Sequence, residues 1–222
     1  MINVTVNKKK YQIKTTWDEF TVTTLLQCTD SRSELLAAST LPVDLIYKAR
    51  PDHLFPFYTI LSFMYDVSNY KLAPDTKAIE RESYDQFVQC CSVIQEQINP
   101  YQRAIKAALV YYPEEQSVTR LMEYGASIIL QVNAFLESYS ELNYKDPKEE
   151  GSDYMDRLRT MGPWGTVYAM SGKDLTKMDA IFKKSTIEVY TAMIYNFREA
   201  MHHQTVKERR LAQAEAIRNS NK

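Results

Sequence analysis

Residues 117–139 read SVTRLMEYGASIILQVNAFLESY, and the spacing of their apolar side chains decides the fold class. Leu121, Ile128, Val132, Phe135 and Tyr139 advance by seven, four, three and four, which stacks them on one side of an α-helix. A second such stripe runs through Ile187, Tyr190, Ile194, Phe197 and Met201, opened by the capping box Ser185-Thr186-Ile187-Glu188. Upstream, Phe87, Cys90, Cys91 and Ile94 line one side of a helix over 83–97. Asn99-Pro100 caps and starts another helix, to about Tyr112, and Pro113 stops it.

The opening of the chain has a different period. Ile2, Val4 and Val6 alternate with polar residues, and Tyr11, Ile13 and Thr15 repeat the pattern. Asn7 tolerates the left-handed backbone of a tight turn, and Lys8, Lys9 and Lys10 solvate the tip, so a β-hairpin is expected. A lone hairpin is marginal in water, which predicts that its apolar face lies on the helices next in the chain. Thr16-Trp17-Asp18-Glu19 matches a capping box, so either a helix begins there or one turn precedes a helix capped at Thr21. Asp30 to Ser33 is expected to break the next helices. Pro42, Pro51 and Pro56 divide the stretch up to about residue 65 into short ones, because proline fits a first turn but not a helix interior. The last of these is apolar, over about 54–65, and 66–82 is expected to be a loop.

The expected fold is therefore mainly α: an N-terminal β-hairpin packed on a multi-helix bundle, with a long C-terminal helix. Residues 143–152 lack periodicity and contain proline and glycine, so they are expected to be a loop or linker. They divide a hairpin plus helical domain (1–142) from a C-terminal helical subdomain (153–222). In that subdomain Tyr154, Leu158 and Met161 precede Gly162-Pro163-Trp164-Gly165, which either kinks or restarts a helix through Val167, Tyr168 and Met170, and Asp174 is expected to cap a short helix holding Met178, Ile181 and Phe182. Beyond Met201 the stripe thins to Val206, Leu211 and Ile217. Lys207, Arg209, Arg210, Arg218 and Lys222 outnumber Glu208 and Glu215 there, which predicts a solvated basic helix fraying into disorder unless a partner covers it.

Composition excludes more than it selects. Basic residues number 27 and acidic ones 28, so there is no global field to gather nucleic acid or an anionic membrane. No long apolar run or signal-like start occurs, so neither a membrane span nor secretion is expected. Three cysteines in no framework spacing fit a reducing compartment, with Cys90 and Cys91 as packing groups. The first of five glycines is Gly125, so nothing upstream can form a glycine-rich phosphate cradle.

No arrangement for catalysis is expected. His202 and His203 are neighbours whose rings diverge by about 100° on a helix, unsuited to one metal. Ser171-Gly172-Lys173 lacks the upstream glycine of a phosphate loop and is taken as a turn. Glu80, Glu82 and Asp85, and likewise Glu149 and Glu150, sit in polar segments where acids are usually solvated. Lys207, Arg209 and Arg210 have no aromatic neighbours on which bases would stack. Trp164, Tyr168 and Phe182 make an aromatic cluster that would become a protein-binding patch if partly exposed. The reading is of an interaction protein, not an enzyme, with no cofactor and no metal.

Three stretches together resemble the tail assembly chaperones of tailed bacteriophages. The opening, Ile2 to Ile13 and then Thr16-Trp17-Asp18-Glu19-Phe20-Thr21-Val22, is similar to their hairpin leading into a Trp-Asp/Glu-Glu helix start. Leu35 through Leu41-Pro42 to Leu54 and Leu61-Ser62-Phe63 resembles a small helical unit that comes after it in such proteins. Trp164-Gly165 through Ala169, Gly172, Asp174 and Lys177, then Ile187-Glu188-Val189-Tyr190, is similar to the C-terminal part of longer members. The resemblance implies a protein of the host cytoplasm that holds the tape-measure protein while tube subunits polymerise, and it transfers no catalytic residues. Its alternative is a structural protein of the virion, as a baseplate, hub or neck component. Implied partners are phage tail proteins (tape measure, tube or baseplate subunits), with a homo-oligomer also open. The expected binding surface comprises Trp164 and Tyr168 together with Phe197, Met201, Arg209, Arg210 and Leu211 on the last helix.

Overall fold

A computed structural model describes residues 1–65, 71–143 and 162–220 of the chain, which is mainly α-helical behind a two-stranded hairpin. It forms two compact units that interleave in sequence, Met1–Lys77 with Gln89–Val132 and Ala78–Val88 with Asn133–Lys222. The linker expected at 143–152 lies outside the described residues except for Asn143, which closes a 3-10 turn (Ser140–Asn143). Tyr154, Leu158 and Met161 also lie outside them.

In the first unit, β1 (Ile2–Val6) pairs antiparallel with β2 (Lys9–Ile13), and Val6 stands opposite Lys9. Asn7 and Lys8 alone make the turn, with positive φ of 50° and 66°, the pair of left-handed residues that a type I′ turn demands. Ile13 is fully buried, and the outer edge of β2 is tied to the end of the second helix: Lys14 N donates to Ala38 O at 2.7 Å and Thr40 N to Gln12 O at 3.0 Å. A single 3-10 turn (Trp17–Glu19) then precedes α1 (Val22–Leu26), whose Thr21 cap accepts from Thr24 N at 3.3 Å. The Glu19 carboxylate accepts from the Met1 ammonium and from Thr15 and Thr16 N–H, and the ammonium and the Thr15 N–H are what hold its pKa down at about 2.

The expected break between short helices is present but ends sooner than expected, at Asp30, where the next helix starts. Asp30 caps α2 (Ser31–Ala38), its Oδ1 accepting from Ser33 N at 2.7 Å while Ser33 Oγ accepts from Asp30 N at 2.9 Å. Next come α3 (Val43–Lys48), α4 (Pro51–Ile60) and a 3-10 turn (Leu61–Met64). Pro56 lies inside α4, against expectation. It is exposed, so water can donate to the Asp52 carbonyl in place of the N–H that proline lacks.

The helices expected from periodicity are present as α5 (Tyr84–Gln95), α6 (Pro100–Tyr111) and α7 (Val118–Ser138). Residues 71–78 are irregular and a 3-10 turn (Ile79–Arg81) completes the expected loop, of which 66–70 lie outside the described residues. Burial pushes the thiols of Cys90 and Cys91 up to about 12 and about 11, so both stay protonated and pack as small apolar groups. α6 buries Tyr101, Gln102, Ala104, Ile105, Ala107, Ala108 and Tyr111, and meets α7 where Gly125 faces the backbone of Ala104.

In the second unit α8 (Pro163–Met170) leads through Gly172 and Lys173, both at positive φ, to a 3-10 turn (Leu175–Lys177) and α9 (Met178–Phe182). Asp174 is the cap expected of it, its Oδ1 accepting from Thr176 N at 3.0 Å. α10 (Thr186–Ser220) then runs 35 residues. It remains helical through 202–220, where fraying was expected, because Ala, Gln, Glu, Arg and Leu dominate that stretch and all favour helix.

A Cβ at position 125 would lie 2.0 Å from Ala104 O. Gly125→Ala is therefore expected to lower stability by about 1–3 kcal/mol or more, read as a fall in the urea midpoint. Unchanged stability would mean that the two helices do not approach this closely.

Candidate functional site

The root of α10 is locked by backbone and by rings. Thr186 N donates to Glu82 O at 2.9 Å and Tyr84 N to Lys184 O at 2.8 Å, a short bridge beside Ser83 and Ser185. Ser185 donates through both its N–H and its hydroxyl to Glu188, at 3.0 and 2.7 Å, and these bonds hold the Glu188 carboxyl below its usual range. The expected capping box is thus present in its carboxylate half. One turn on, the Tyr190 ring meets Tyr84, Phe87, Phe135 and Tyr139 at centroid distances of 6.1, 5.6, 4.9 and 5.1 Å, each within the edge-to-face range.

The same cluster reaches the surface at Trp164. Tyr84 stacks on Phe182 at 6.1 Å, and Phe182 takes the edge of Trp164 at 4.8 Å. Phe182 is buried whereas Trp164 is 57% exposed, so the indole touches the core on one side and meets solvent over much of the rest. Leu175 is exposed as well. Tyr168 is half-buried one turn beyond Trp164, but among the described residues its ring makes no aromatic contact with Trp164 or Phe182.

Along α10 exposure rises from root to tip. Val189 is fully buried, Ile194, Phe197 and Met201 are half-buried, and Arg198 forks onto Glu141 with Nη2 to Oε1 at 2.6 Å. From 207 to 217 every residue is exposed, including Arg209, Arg210, Leu211 and Ile217. That bare stretch is about 16 Å of helix at 1.5 Å per residue. The sequence-predicted residues thus fall into a Trp164 edge, a half-buried root at Phe197 and Met201, and an open arm at Arg209, Arg210 and Leu211. The ring cluster joins Trp164 to α10 at Tyr190, one of the residues preceding Phe197 and Met201, and sequence reasoning missed its hub. Phe87, Phe135 and Tyr190 were each legible as one helix's apolar face, but nothing in their spacing says that they meet.

A second feature missed in the sequence is Glu34, the one acidic side chain that is buried among the described residues. Its Oε1 accepts from Asn99 Nδ2 at 2.6 Å and from Tyr101 Oη at 2.7 Å, and Oε2 accepts from the Tyr65 hydroxyl. Asn99 precedes α6, as expected, but its amide turns to this carboxyl instead of capping the helix. No cation pairs with Glu34 among the described residues, and burial raises its pKa above the ordinary value of 4.5, outweighing the Tyr101 hydrogen bond. The only signal in the sequence was an acid set directly against Leu35 and Leu36.

Among the described residues no group of three or more His, Cys, Asp or Glu could hold a metal, and no helix is long and apolar enough to cross a membrane. Comparison of the chain with protein-family models, curated proteins and solved structures finds no match.

The raised pKa of Glu34 gives a signed pH prediction. The folded carboxyl keeps its proton where the unfolded one loses it, so wild-type stability attributable to this group is full below pH 4.5 and falls as pH rises to the folded pKa. Glu34→Gln cannot titrate, and urea midpoints across pH 4–8 should show the variant gaining on the wild type as pH rises. A variant-minus-wild-type difference that stays flat or falls with rising pH would contradict the assignment.

Proposed function

We propose that the chain is a non-catalytic helical binding protein acting as a phage tail assembly chaperone. In this reading it holds the tape-measure protein or tail subunits in the host cytoplasm during morphogenesis. The observation that carries the reading is a helix anchored at one end by an aromatic cluster and bare at the other, with Leu211 and Ile217 more than half exposed. A helical arm exposed to solvent is marginal in water, and exposed leucine and isoleucine on it gain by being covered. A client that is itself a long helix can lie along such an arm, with Arg209 and Arg210 beside Leu211 favouring acidic neighbours in the client. The resemblance in the opening hairpin, in the helical unit after it and in the Trp164 region points to the same class of client.

Co-expression with a tape-measure fragment tests the arm. A chain truncated after Met201 should retain its helical circular dichroism apart from the lost arm and fail to co-purify the fragment, whereas undiminished co-purification would remove the arm from the proposal. Trp164→Ala should weaken capture while costing under about 1.5 kcal/mol of stability, since one ring contact is lost at the surface. Purified phage particles, analysed by mass spectrometry, should lack the chain. Its presence in fixed copy number would make it a virion component instead.

A further inference from the structure

The hairpin has two outer edges that are treated differently. Gln12 turns outward on β2, its O accepting from Thr40 N at 3.0 Å and its N donating to Thr40 Oγ1 at 2.9 Å, so that edge is covered. Gln12 stands opposite Asn3, and Lys10 opposite Thr5. In an antiparallel ladder, residues opposite outward-pointing ones also point outward, so the N–H and C=O of Asn3 and Thr5 form the free edge of β1. Both residues are exposed, and among the described residues no hydrogen bond other than the β1–β2 pairing involves them. Edges of this kind are normally blunted by lysine, proline or a bulge. β1 reads Ile-Asn-Val-Thr-Val in unbroken register and has none of these.

We propose that β1 is a self-pairing edge, which joins a second copy of the chain through an antiparallel β1–β1 contact centred on Val4. The choice of a second copy rests on the symmetry of the strand. Read in either direction from Val4 it is polar, then apolar, so a two-fold axis at Val4 sets Asn3 against Thr5 and Ile2 against Val6 of the other copy. Asn3 and Thr5 are the outward-pointing residues, so they exchange both backbone bonds across the axis while the valines face each other in the close, non-bonded pair. The strand carries no charge, so no like-charge pair opposes this register. The result is a continuous sheet in the order β2-β1-β1-β2.

Analytical ultracentrifugation of the full chain over a wide concentration range should show a reversible monomer–dimer equilibrium. Thr5→Pro removes an outward N–H and leaves the β1–β2 bonds intact, so it should fold and weaken association by at least about tenfold. Register is tested by oxidation: Val4→Cys should cross-link with itself, since its Cα atoms would lie about 4.5 Å apart, while Val6→Cys should cross-link only when mixed with Ile2→Cys. The cysteine variants do not depend on Thr5→Pro folding, and the wild type controls for native thiols. A monomer at every concentration overturns the proposal and leaves the edge to a strand from another protein. A dimer undiminished in folded Thr5→Pro, or cross-linked by Val6→Cys alone, overturns it as well.

Discussion

The first unit depends on α6, a helix buried along most of its circumference. Tyr101, Ile105 and Tyr111 are almost wholly removed from water, each stabilising the fold by about 1.5–3 kcal/mol at ordinary burial energies. A helix so enclosed meets polar groups of its neighbours, and α6 bonds several of them with its own side chains. Gln102 Nε2 donates to the carbonyls of Leu25 and Cys28 at 2.9 and 2.7 Å, which ties α6 to the end of α1 and the residues just after it. Tyr101 and the preceding Asn99 hold Glu34 of α2. The short helices α1 and α2, too brief to be stable alone, therefore take their places from the helix that they cover.

Close approach is the second constraint on that unit. Gly125 lets α7 meet the Ala104 backbone, where any side chain would collide. Glycine in a helix interior is destabilising by about 1 kcal/mol relative to alanine, and the packing of Tyr101, Ile105 and Leu121 offsets it. The hairpin is attached by different means, through its backbone to the end of α2 and through the Glu19 carboxylate. One edge of it is covered as a result and the other is left open.

The second unit is organised by rings. Trp164, Phe182, Tyr84, Tyr190 and Phe135 touch in sequence, so the surface indole and the root of α10 share one aromatic body. The helix is thus held at its root and exposed at its tip. The cluster fixes the direction of the first turns, while Leu211 and Ile217 near the tip are more than half exposed.

Periodicity and local chemistry were enough to place most elements. The alternation at Ile2, Val4 and Val6, the stripes of α5, α7 and α10, the Asp174 cap and the Asn99-Pro100 start are all short-range properties, set by strand and helix geometry within a few residues. Pro56 inside α4 was misread because proline is tolerated there only on the side of the helix that meets water. What only the tertiary structure decided are the convergences. Glu34 found Asn99 and Tyr101 more than 60 residues away, Tyr84 found Tyr190, and Gly125 found Ala104. Residue spacing reports which face of an element is apolar but not which distant face it meets, because that choice is made by packing and by the satisfaction of buried polar groups over the whole chain.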